Sequence, residues 1–69
     1  MLATNYIKNQ MEKEKLTYVR LSNNLGITAM ATYGWVKKPH KLNLMKIIKL
    51  EKALNLNKGT LIEWILETL

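Results

Sequence analysis

The 69-residue chain contains no cysteine and no aspartate, one histidine, one proline and three glycines. Without cysteine there are no disulfide staples and no thiolate zinc sites, and a lone histidine with no aspartate leaves no ordinary protein metal site. The apolar stretches are short and broken by Lys, Glu or Asn. None approaches the roughly 20 consecutive apolar residues of a membrane span. Lys8, Lys13 and Lys15 are followed by no apolar block, so no signal peptide is expected and the expected compartment is cytoplasmic. Scarce glycine and proline, with no repeat or low-complexity tract, leave no segment that reads as a linker. The expectation is one domain over residues 1–69.

Eleven Lys and Arg against five Glu give a formal charge of +6, with a pI near 9.8. That balance points to a polyanionic partner, either nucleic acid or an acidic membrane surface. Apolar residues make up 48% of the chain, enough for a core. A chain this short buries only about 60% of its unfolded surface, and without staples it depends on helix packing or self-association.

Apolar spacing is helical throughout, so the predicted class is all-α with five helices. The first runs from about Asn5 to Glu14, with Thr4 or Asn5 as cap and Tyr6, Ile7 and Met11 inward; Lys8, Glu12 and Lys13 face water. Thr17 caps a second helix, Tyr18 to Leu25, with Val19, Leu21, Ser22 and Leu25 on its buried side. Gly26 is placed to take the left-handed conformation that ends a helix, and Ile27 behind it supplies the usual apolar contact. Thr28 then caps a third helix, Ala29 to about Val36. About three residues separate the two helices, a joint so tight that they cross rather than run antiparallel.

Pro39 bars helix continuation from Lys38, and a loop is expected over about Lys37 to Lys41. The fourth helix spans Asn43 to Leu54, with Leu44, Ile47, Ile48, Leu50 and Leu54 as an apolar ladder and Glu51 at its edge. Asn55 is a left-handed stop, and Asn57 is the cap candidate for a fifth helix of about Lys58 to Glu67. That helix is apolar on more than one side, through Leu61, Ile62, Trp64, Ile65, Leu66 and Leu69. The surplus marks an interface; the alternative is that Trp64 folds back on the first helix.

Residues 17 to 36 thus read as cap, short helix, glycine turn, cap, short helix, which is a helix-turn-helix by physical signals. With Ile7, Leu16-Thr17, Leu21-Ser22, Leu25-Gly26-Ile27-Thr28, Trp35, Leu44, Ile47, Leu54, Leu56 and Asn57, this spacing resembles the phage-repressor family of DNA-binding domains (Cro/cI type, lambda-repressor-like, XRE). The resemblance covers about Ile7 to Ile62. It implies a compact five-helix bundle that places its third helix in the major groove of double-stranded DNA as a sequence-specific regulator, blocking or recruiting polymerase; with no effector domain expected, repression by occlusion is the simplest mechanism. Where the family usually opens its second helix with a phosphate-contacting glutamine, this chain has Tyr18. Thr32 stands where an aliphatic residue is expected.

The family's base-reading positions fall on Ala29, Met30, Tyr33 and Gly34. Direct readout ordinarily uses Arg, Lys, Asn or Gln, since a bidentate contact discriminates by about 1 to 3 kcal/mol. Here Thr28, Ala29, Met30 and Thr32 are candidates for thymine methyl contacts, Gly34 for close approach, Tyr33 for a polar contact and Lys37 for bases or phosphates. Specificity then leans on DNA shape.

Lys37, Lys38, His40, Lys41, Lys46 and Lys49 form a run without an acidic residue. With Tyr18 and Arg20, the residues Lys38, His40, Lys41 and Lys46 are the candidate phosphate contacts; Arg20 has Glu12 or Glu14 as alternative partners. Neutralising about four phosphates gives a salt slope of about −3.6 in log affinity against log salt. In the resembled family the fifth helix commonly forms a two-fold dimer, which assigns Ile62, Trp64, Ile65, Leu66 and Leu69 to a homodimer interface and sets two third helices about 34 to 36 Å apart.

Ser22 has no base partner, and His40 has neither a carboxylate nor a second histidine nearby in sequence. No catalytic residue, metal, cofactor or small-molecule substrate is expected. The competing reading is a degenerate helix-turn-helix that binds other proteins, kept open by Ala29, Met30 and Gly34. A basic amphipathic membrane-surface peptide is a third, opposed by the caps and stops of a compact fold.

Overall fold

A computed structural model describes residues 2–69. Among them lie five α-helices and one short 3-10 turn: α1 (Leu2–Lys13), α2 (Tyr18–Leu25), α3 (Ala29–Lys37), the 3-10 turn (Pro39–Lys41), α4 (Leu44–Ala53) and α5 (Thr60–Thr68). The Cα radius of gyration is 10.6 Å, against about 11 Å for a folded chain of this length. α1 packs chiefly on α5 and also on α3, while α2 packs on α3 and α4.

α1 begins at Leu2, three residues before the predicted start, and Thr4 is a buried helical residue rather than a cap. Tertiary contacts hold this extra turn. Ala3 is fully buried and donates its N–H to Thr68 Oγ1 at 3.1 Å. The Thr4 hydroxyl lies 2.8 Å from the Val36 carbonyl and 3.0 Å from that of Lys37. The inward row is Ala3, Ile7 and Met11, one residue per turn. Lys15 closes the helix at φ 56°, with the Leu16 N–H donating to the Met11 carbonyl at 2.7 Å. A lysine thus fills a left-handed position that glycine usually takes.

Around α2 and α3 the local signals operate as the chain order predicts. The Thr17 hydroxyl accepts the Arg20 N–H at 3.2 Å, and Gly26 sits at φ 71°, ψ 30°. The Ile27 N–H donates to the Ser22 carbonyl at 3.1 Å, the long closing bond of a Schellman stop. Thr28 accepts the Ala31 N–H at 3.1 Å. Val19, predicted inward, is instead 61% exposed. The buried side of α2 runs through Tyr18, Leu21, Ser22 and Leu25, the i, i+3, i+4, i+7 row, and Val19 lies off it.

α3 extends one residue past the predicted end, to Lys37, with the Lys38 N–H donating to the Gly34 carbonyl at 3.0 Å. Pro39 then opens the 3-10 turn. The predicted bounds of α4 are its caps: Asn43 accepts the Lys46 N–H at 2.9 Å, and Leu54 closes the far end. Leu44, predicted in the ladder, is exposed, and Leu42 just before the helix packs on the core instead. Asn55 is left-handed at φ 58°, as predicted.

α5 starts at Thr60, two residues after the predicted start, and Asn57 does not cap it. Gly59 (φ 91°) holds the cap position without a side-chain bond. The missing cap comes from another helix: Glu51, buried on α4, accepts the Leu61 N–H on Oε2 at 2.9 Å. A carboxylate there meets both an otherwise unpaired amide and the positive end of the helix dipole. The core consists of Ala3, Ile7, Met11, Leu21, Val36, Leu50, Leu54, Leu61 and Ile65, drawn from all five helices.

Candidate nucleic-acid interface

α3 has two faces with different chemistry. Thr32 and Val36, four residues apart, are fully buried, while Ala29, Met30, Tyr33, Gly34 and Lys37 face outward. Thr32 is therefore not available for a thymine methyl contact. Its hydroxyl donates to the Thr28 carbonyl at 3.0 Å, which makes a polar side chain tolerable where an aliphatic one was expected. Thr28 is exposed beside its capping bond, Met30 is 85% exposed and Tyr33 is 49% exposed.

Tyr33 is held from two sides. The Tyr18 ring meets it edge-on, with centroids 5.5 Å apart and planes at 62°. The Lys37 Nζ lies 5.8 Å from its centroid, a cation over an aromatic face one helical turn along. Tyr18 is half-buried, and its phenol is raised above the ordinary tyrosine value, first by loss of solvent and then by the neighbouring Tyr33. The hydroxyl thus stays a neutral donor through the physiological range.

Lys38, His40 and Lys41 follow directly, all exposed, along the end of α3 and the 3-10 turn. Lys46, on the first turn of α4, places its Nζ 5.7 Å from the centroid of Trp35, so this cation is tied to α3 as well. Trp35 itself is half-buried against the core. Arg20 is exposed on α2. Lys49 departs from this group and lines a cleft with Asn24, Leu25 and Lys52, between the C-terminal ends of α2 and α4.

One residue of this region is missing from the sequence reading. Lys8, assigned to solvent, lines the same cleft as Tyr18, Tyr33, Lys37, Lys38 and His40. Twenty-one positions of chain separate it from the start of α3, so no local spacing rule could find it.

On α5, Ile65 belongs to the core and is not available to a dimer interface. The Trp64 ring lies 5.4 Å from that of Tyr6, so it folds against α1 as the alternative reading held. Ile62 is half-buried, and Leu66 and Leu69 remain exposed. The apolar surplus is thus narrower than the five residues expected.

Among the described residues, no three His, Asp or Glu side chains gather as a metal site would require. Among the same residues, no helix is long and apolar enough to cross a membrane. No family model, curated protein or solved structure matches the chain.

Proposed function

We propose that the chain is a sequence-specific DNA-binding regulator of the phage-repressor type. In this reading α2, the Gly26 turn and α3 form a helix-turn-helix that lays α3 in the major groove. The observation that carries it is the outward face of α3. Ala29, Met30, Tyr33, Gly34 and Lys37 are exposed on it while Thr32 and Val36 anchor the helix from behind, and the exposed Lys38, His40 and Lys41 follow directly in the chain. Small and apolar side chains approach base edges and thymine methyls, and the flanking cations take the phosphates. Bound DNA is then blocked to other proteins.

Titration of random-sequence duplex at several salt concentrations tests this. Neutralising about four phosphates gives a slope of about −3.6, and the double variant Lys37→Gln/Lys38→Gln flattens it by about 1.8. Indifference to duplex at low salt refutes the reading. Leu66 and Leu69 at the exposed end of α5 suit a two-fold partner, which sets two copies of α3 about one DNA turn apart. Leu66→Ser/Leu69→Ser should then give a folded monomer by sedimentation. The 85% exposure of Met30 favours one second reading, a protein-interaction module. Loss of duplex binding with self-association intact would select it.

A further inference from the structure

Beside the outward face of α3, a cleft of about 440 Å³ opens between α1, the start of α2 and the end of α3. Four basic side chains line it, Lys8 from α1 and Lys37, Lys38 and His40 from the α3 end, together with the rings of Tyr18 and Tyr33; the lining carries no carboxylate. An anion placed there would ordinarily meet the negative end of α3, where the last carbonyls lack helical partners. In this protein three of the last four carbonyls have a partner. Gly34 O takes the Lys38 N–H, and the buried Thr4 hydroxyl lies against the oxygens of both Val36 and Lys37. Besides Thr4, Asn5 and Val36, the lining is thus four basic side chains beside the edge-packed pair of aromatic rings.

We infer that this cleft binds a nucleoside phosphate unit, with its phosphate on Lys8, Lys37, Lys38 and His40 and its sugar or base against Tyr18 and Tyr33. Two sources share that chemistry. One is a backbone phosphate of the duplex, in which case the inference rests on the DNA-binding reading and brings α1 into the interface. The other is a free nucleotide, which would compete with DNA because Tyr33 and Lys37 serve both. The cleft thus extends the site to a helix that the chain order leaves out of it.

The test compares Lys8→Gln and Lys8→Arg with Lys13→Gln, an equal charge change on the same helix that lies outside the cleft lining and is exposed like Lys8. Each full-length protein is titrated with random-sequence duplex across salt, and with thymidine 5′-monophosphate, thymidine and inorganic phosphate followed by backbone amide NMR. If the duplex supplies the phosphate, Lys8→Gln flattens the slope by about 0.9, Lys8→Arg restores it and Lys13→Gln leaves it nearly unchanged. If a free nucleotide is the ligand, the monophosphate saturably shifts the Thr4, Lys8, Tyr33, Lys37 and Lys38 amides. It then does so more tightly than thymidine or phosphate alone, and Lys8→Gln weakens it several-fold. Either result upholds the inference. Nucleotide binding without duplex binding would overturn the DNA reading and leave the cleft standing. Lys8→Gln matching Lys13→Gln in both titrations overturns the cleft, whatever the duplex does, and a protein that binds neither probe overturns both.

Discussion

Replacing Thr4 with valine keeps the shape of the side chain and deletes one hydroxyl, which isolates the bond between α1 and the end of α3. The hydroxyl is 2.8 Å from Val36 O and 3.0 Å from Lys37 O, and Thr4 itself is buried. Deleting the donor strands a buried carbonyl, at a cost of about 1 to 3 kcal/mol. For a domain of this size each kcal/mol lowers the melting temperature by roughly 4 to 8 °C. A mid-range loss of about 2 kcal/mol therefore predicts a drop of about 8 to 16 °C, read by circular dichroism during heating and checked by urea unfolding. Thr4→Ser is the matched control. It keeps the donor and removes a methyl group, worth about 0.8 kcal/mol. If Thr4→Val proves no more damaging than Thr4→Ser, the hydroxyl does not hold the two helices, and the account of how the α3 end is fixed fails. The same bond positions Lys37 and Lys38. Thr4→Val, compared with wild type at a temperature where both are folded, should also weaken duplex binding although Thr4 lies behind the outward face.

Glu51→Ala should cost about 1.5 to 3 kcal/mol in urea unfolding, because it removes a charged acceptor from the buried Leu61 N–H; Glu51→Gln, which keeps an acceptor oxygen, should cost less. Gly26→Ala should destabilise by about 1 to 2 kcal/mol through left-handed backbone strain alone, since an added Cβ meets nothing within 4 Å. Lys15→Gly, at φ 56°, should go the other way by up to about 1 kcal/mol. For Tyr18, burial and Tyr33 raise the phenol above its ordinary 10.0. The unfolded chain then ionises first, so the stabilisation is full below that value and is lost as pH rises through the higher folded value. Tyr18→Phe should lack that part of the alkaline loss, seen as a narrowing stability difference from wild type in denaturant titrations above pH 10.

The features legible in the chain are those whose physics closes within four or five residues. Thr17, Thr28 and Asn43 cap amides three residues on, Gly26 and Asn55 turn left-handed, and Pro39 ends α3. What was illegible depends on contacts across the fold. Thr4 is a buried bridge because α3 ends above it, thirty-two residues away. Glu51, placed at an edge by periodicity, is interior because α5 needs a cap and Asn57 does not supply one. Val19 and Leu44 are apolar without being core, since Tyr18 and Leu42 take the positions that their spacing suggested. The outward set on α3 was readable as a helical stripe, apart from Thr32, which is buried. Lys8 was not readable, because its basic and aromatic neighbours in the cleft come from other elements of the fold.

The composition of α3 also sets how selective the proposed regulator is. Its outward face carries no Arg, Asn or Gln, which leaves Lys37, at the C-terminal end of the helix, to make the kind of contact that discriminates by about 1 to 3 kcal/mol. Tyr33, clamped by Tyr18 and Lys37, presents one hydroxyl at a fixed place, and a single hydrogen bond does not separate base pairs as a fork does. On the proposed reading, apolar contact from Ala29 and Met30 with thymine methyls supplies the rest of the direct readout. A buried methyl is worth about 0.8 kcal/mol, or roughly fourfold in affinity. On a duplex selected from random sequence, replacing thymine by uracil removes that methyl and leaves every hydrogen-bonding group in place. The expected result is about a fourfold loss at one or two positions per half-site, with the salt slope unchanged because no phosphate contact is altered. A uracil scan that is flat everywhere, on a duplex still bound tightly and selectively, would refute methyl readout and leave sequence-dependent bending and groove width as the source of selectivity.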